Sequence, residues 1–383
     1  MRLRRLGVCA LVAASSLMGC RAVPLTADPL NPRPVPSPEL FRVDWWHSLV
    51  GQRRLLEHAP REPAAPTWDA ERQQLITLTR DGRVRALDAA GEERWSRPTD
   101  NHFSAGAGIS AKRIYLPGGN GVLEALDPTT GESLWTYDTG EELGTMPVEV
   151  DGVVLVASHS NSLFAVDAET GAWKWQYRRE LPSGFTIRGV STPTVRDGVI
   201  YVGFADGALS ALRLADGVAV WERMLSTSLG PFIDVDTQPI FDHQGVLYAA
   251  SVKDGIFALD PMTGRTLWHQ DVPGVTGLLL RGEVLFATGS DGVRAMVAGD
   301  GSTLWSMRLS DVAAGQPILS AGYLVAPVSD GLLFLDPGLG RTVLRWDPGQ
   351  GVSAKATQGP DRSLYVLSNL GFVYALDLLG GQG

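Results

Sequence analysis

One unit recurs eight times along this chain, and that repetition constrains the fold more than any other feature. Each copy opens on a tight turn: Asp81-Gly82, Asn120-Gly121, Asn161-Ser162, Asp206-Gly207, Asp254-Gly255, Asp291-Gly292, Asp330-Gly331 and Leu370-Gly371. Asp-Gly and Asn-Gly supply the positive φ angles that a two-residue hairpin needs. A short apolar strand precedes each turn, as in Val153–Ala157 or Val246–Ala250, and an alternating strand follows it, as in Leu163–Val166 or Ile256–Leu259. A second turn comes next, typically Asp-x-x-Thr-Gly, and eight residues after its Asp stands a Trp: Asp127 to Trp135, Asp167 to Trp175, Asp260 to Trp268. Arg213 and Val297 replace the Asp before Trp221 and Trp305, and in the seventh copy Leu344 takes the Trp position with Trp346 two residues later.

The first turns are 37 to 48 residues apart with no helical pattern between them, which fits four-stranded blades packed radially. One Trp per repeat reads as a wedge between neighbouring sheets rather than as a ligand-stacking ring. The last copy ends at Ala375-Leu376-Asp377-Leu378, before its Trp strand, while Phe41-Arg42-Val43-Asp44-Trp45-Trp46 near the start offers the missing piece. The expectation is an all-β, eight-bladed β-propeller over residues 41–383, its last blade closed by the N-terminal strand, which removes exposed sheet edges. A seven-bladed closure is the rival.

Residues 1–19 read as an export signal: Met1 to Arg5 is basic, Leu6 to Leu17 is apolar and too short to cross a bilayer, and Leu17-Met18-Gly19-Cys20 resembles a lipobox. A plain secretory signal with an incidental Cys is the alternative. The resemblance implies acylation of Cys20, and Arg21 in place of Asp implies sorting to the outer membrane. Residues 20–40 then form anchor and tether, with Pro24, Pro29, Pro32, Pro34, Pro36 and Pro38 favouring extended chain.

Chemistry narrows the function by exclusion. The formal charge is −9, and without the three Arg of residues 1–20 it is −12, so nucleic acid is not an expected partner. Only Cys9 and Cys20 exist, which leaves the body without a disulfide, a thiolate metal site or a Cys nucleophile. The six His stand apart, and no nucleophile elbow or phosphate loop precedes a helix. No catalytic residue, metal or cofactor is expected.

The Asp-x-x-Thr-Gly-x-x-x-Trp units resemble the repeats of quinoprotein-type propellers, a group that includes pyrroloquinoline-quinone (PQQ) dehydrogenases and the BamB family of the outer-membrane β-barrel assembly machine. Repeat phase narrows this. From Trp to the Pro opening the next blade there are 12 residues for Trp135–Pro147 and Trp305–Pro317, but 18 for Trp175–Pro193 and Trp221–Pro239. Two consecutive connections are therefore six residues longer and project side by side. Arg188 and Asp234 each lie 13 residues after their Trp, with Phe185, Ile187 and Asp236 nearby. Apolar anchors framed by charge suit a protein-binding patch.

These two loops resemble the BamB segments that contact BamA through its POTRA domains. The resemblance implies Phe185, Ile187, Arg188, Asp234 and Asp236 as partner-binding residues; by themselves Asp234 and Asp236 read as solvated or partner-facing carboxylates rather than as Ca²⁺ ligands, which need about six oxygens. An Arg188 pairing with Asp234 or Asp236 that merely stitches the loops together is the structural alternative. The expected function is a monomeric, non-catalytic periplasmic scaffold that docks on BamA and assists insertion of β-barrel proteins, with unfolded barrel chains as further partners. Two other readings are a scaffold for a different envelope complex and a PQQ-dependent dehydrogenase. Against the dehydrogenase stand the missing Cys pair and only four Lys, at 112, 174, 253 and 355.

Overall fold

Short apolar runs, buried on both faces in the middle strands as in Val153–Ala157 and Gly331–Leu335 and broken by turn-forming Asp, Asn and Gly, give strands that pair with their immediate neighbours in sequence. A computed structural model describes residues 40–51, 61–180, 189–226, 232–309 and 315–380. Within them lie eight antiparallel sheets of four strands each. Seven are simple meanders, covering residues 67–98, 108–138, 148–178, 194–224, 240–270, 275–308 and 318–346. The eighth takes three strands from residues 357–378 and its outermost strand, Phe41–Ser48, from the start of the body. That strand runs antiparallel to Phe372–Leu378, from Phe41 opposite Leu378 to Ser48 opposite Phe372. The molecule is thus an eight-bladed β-propeller closed by its N-terminal strand, as the truncated last repeat predicts.

The hydrophobic core is divided into eight clusters, each shared by two adjacent blades. One cluster, for example, joins Leu155, Leu163 and Trp175 of the third blade to Ile200, Val202 and Leu212 of the fourth. Another sets Tyr365, Leu367 and Val373 of the eighth blade against Leu75 and Leu87 of the first, which completes the ring. A buried pair reinforces this closing seam. Arg80 binds Glu62 at 2.5 Å and also donates to the Asn369 carbonyl at 3.0 Å.

The Trp residues are the wedges. In seven blades a Trp on the outer strand sits opposite an Ala, as in Ala165–Trp175 and Ala375–Trp45. Its indole N–H donates to a carbonyl in the second turn of the next blade, as Trp135 does to Ala168 at 3.1 Å and Trp45 to Ala89 at 2.8 Å. The turn's Gly lies flat on the ring: a Cβ added to Gly171 would come within 2.5 Å of Trp135. The turn is held by its Asp, whose Oδ1 accepts two backbone N–H groups, at 3.1 and 3.0 Å in the case of Asp167.

The exception in the seventh blade follows from closure. The eighth blade has no turn between its third and fourth strands, because the fourth comes from the other end of the chain. An indole from the seventh blade would therefore find no turn carbonyl and no Gly. Leu344 occupies the position instead, opposite Phe334 rather than Ala, so the small and large partners are exchanged across the pair. Phe41 fills the remaining space, its ring centroid 5.7 Å from Phe334 and 5.0 Å from Trp346.

Candidate partner-binding surface

The long connections rise from well-tied stems. At the base of the first, Arg179 binds Asp206 at 2.7 Å and Glu222 at 2.8 Å, bridging the third and fourth blades. Its guanidinium also receives support from the Tyr177 hydroxyl at 3.2 Å, and these partners hold its proton more firmly than usual. At the base of the second, the Ser226 hydroxyl donates to Asp254. These charge-assisted bonds hold the stems where two blades meet.

Of the five sequence-derived contact residues, Phe185, Ile187 and Arg188 lie outside the described residues, as does Cys20. Asp234 and Asp236 are described, and their setting differs from solvated or partner-facing carboxylates. Asp234 is 1% exposed. Its Oδ1 accepts the Gly189 N–H at 3.2 Å, and its main-chain carbonyl accepts the Val252 N–H at 2.9 Å. The residue therefore fastens the end of the first connection to the second from beneath. Asp236 is also largely covered, and a Cβ on Gly189 would come within 2.7 Å of its Cβ. Only a Gly fits there.

Burial without full pairing costs the charged forms. Among the described residues, neither Asp234 Oδ2 nor Asp236 Oδ1 has a hydrogen-bond donor. Burial pushes the Asp234 carboxyl above its ordinary range, and burial together with the neighbouring Asp234 pushes Asp236 up to about 7. The described link between the two connections is the Gly189 N–H to Asp234 bond, and the Arg188 of the stitching alternative lies outside the described residues.

Sequence reasoning missed Phe232. It stands on the second connection with 39% of its surface exposed and a positive φ of 65°, which an aromatic residue rarely adopts. The signal was the apolar Pro231-Phe232-Ile233 run inside an elongated connection. Among the described residues no group of three or more His, Cys, Asp or Glu could hold a metal ion.

Comparison with known proteins bears on the family. Residues 80–306 match the family described as outer membrane protein assembly factor BamB. The BamB of Yersinia pestis is 28% identical over 356 residues, covering 87% of this chain and 88% of that protein. The crystal structure of BamB from Moraxella catarrhalis superposes with a TM-score of 0.74 at 22% identity, covering 88% of this chain and all of that one. Quinohemoprotein alcohol dehydrogenase from Comamonas testosteroni superposes with a TM-score of 0.72 at 14% identity, covering 90% of this chain and 77% of that one. Likeness at those identities speaks for the propeller alone, and it is the sequence match over residues 80–306 that shows the family. This chain belongs to the outer membrane protein assembly factor BamB family.

Proposed function

We propose that this protein is a non-catalytic scaffold on the periplasmic face of the outer membrane, anchored by an acylated Cys20, which docks on the POTRA domains of BamA and assists assembly of β-barrel proteins. The observation that carries the reading is the pair of elongated connections on the fourth-blade flanks, tied together by Asp234 and Gly189. Phe185, Ile187 and Arg188 supply the contact on the first connection, with Phe232 extending it on the second. Asp234 and Asp236 act from below, holding the first connection in register rather than touching the partner through exposed oxygens.

Stems tied across adjacent blades suit such docking, because a pre-arranged base lowers the ordering entropy that binding costs. A ring stabilised blade by blade is a stiff platform for them. The chain acts as a single copy within a larger assembly.

The test is co-purification from detergent extracts. The tagged protein is expected to recover BamA, and Arg188→Ala and Phe185→Ala are each expected to reduce recovery. Retention of BamA by both variants and by Asp234→Ala would refute the surface. Recovery of a different envelope complex in place of BamA would refute the function.

A further inference from the structure

The ring encloses a channel of about 730 Å³ lined by the inner edges of all eight blades. That is the size of an ordinary small-molecule site. Most of its wall is neutral. Asp236 from the fifth blade and Lys355 from the eighth project charge into it, and the further charged lining residue, Arg281, is exposed.

Among the described residues, neither of these half-buried charges is neutralised. The Lys355 ammonium forms no ion pair or hydrogen bond with any described residue, and burial alone lowers its affinity for a proton. Among the described residues Asp236 keeps Oδ1 without a donor. Strand register shows why they do not meet. Thr357 pairs with Tyr365 as Ile240 pairs with Tyr248, which puts Lys355 level with Gln238, two residues beyond Asp236. At about 3.3 Å per residue the offset along the axis is roughly 7 Å, in addition to a separation of three blades around the ring. Two opposite charges held apart across one cavity, each desolvated and unpaired, are an arrangement that a complementary ligand stabilises and an empty channel does not.

We propose that the central channel binds a small linear zwitterion, whose carboxylate is held by Lys355 and whose ammonium is held by Asp236. The offset selects molecules with separated charges, so α-amino acids are too short to engage both ends. A polyanion is disfavoured, because the channel offers one half-buried ammonium and one half-buried carboxylate. This inference is independent of docking on BamA, since it is read on the isolated protein.

Isothermal titration of the full-length protein with glycine, β-alanine, γ-aminobutyrate and ε-aminohexanoate tests it, with hexylamine and hexanoate as single-charge controls. One of the longer zwitterions is expected to bind saturably at one site, more tightly than glycine and than either control. Lys355→Met and Asp236→Asn are each expected to weaken it by roughly tenfold to a hundredfold, the weight of one hydrogen bond to a charged group. Absence of saturable binding by all four, equal binding of a single-charge control, or retained affinity in either folded variant would overturn the proposal. Should a variant fail to fold, the comparison of zwitterions with controls on the unaltered protein still decides.

Discussion

Gly171→Ala isolates what the indole wedge contributes, because the same blade holds a matched control. Gly171 and Gly152 both have positive φ, at 71° and 75°, but a Cβ on Gly171 would come within 2.5 Å of Trp135 whereas one on Gly152 meets nothing within 4 Å. An L-residue in that backbone region costs about 1–2 kcal/mol, part of which is offset by the smaller entropy of the unfolded chain. Gly152→Ala should therefore destabilise by about 1 kcal/mol. Gly171→Ala bears the same cost and also forces the indole to retreat by roughly 1 Å to reach ordinary carbon contact. The retreat strains the 3.1 Å bond from Trp135 to the Ala168 carbonyl, worth about 1 kcal/mol, and overpacks the interblade core by a further 1–3 kcal/mol. The two variants should differ by about 2–4 kcal/mol in urea unfolding followed by tryptophan fluorescence. A difference under about 0.5 kcal/mol would show that the ring does not depend on these wedges.

Other variants probe the seam, the buried acids and the anchor. Leu344→Trp, which restores the consensus residue, should destabilise by about 1–3 kcal/mol because the eighth blade lacks the turn that receives an indole; increased stability in urea would contradict the account of the seam. Asp236 has a folded-state pKa raised from its ordinary 3.8 to about 7, so the folded state binds more protons and loses stability as pH rises through that window. Asp236→Asn should therefore be more stable than the parent at pH 8, by at most roughly 4 kcal/mol, and converge with it near pH 4; a pH-independent difference in urea midpoint would refute this. Cys20→Ser should move the protein from the membrane pellet to the soluble periplasmic fraction; unchanged fractionation would mean a different anchor.

Local chemistry made the blades legible. Turn residues, strand alternation and the spacing from Asp to Trp all act within one repeat, so they can be read without knowing which blades become neighbours. Closure was partly legible, since a repeat that stops before its last strand and a spare Trp-bearing strand at the start point to one blade built from both ends; the pairing of Phe41–Ser48 with Phe372–Leu378 decided it against seven blades. Even Leu344 was visible as an exception, though its cause was not. The reason is the absent turn in the following blade, which exists only once the two ends of the chain have met.

Burial was not legible in the same way. Asp234 and Asp236 share the phase and polarity of surface carboxylates, yet Gly189 from the preceding connection covers them, and nothing local to residues 234–236 announces that cover. Lys355 and Asp236 are 119 residues apart in the chain and share a cavity only because the ring closes. The amino-acid sequence by itself determined the repeat and the resemblance to the family, both of which depend on short-range patterns, and it left seven blades as a rival to eight. Tertiary structure decided which polar groups lose their water, because that depends on what another blade lays over them.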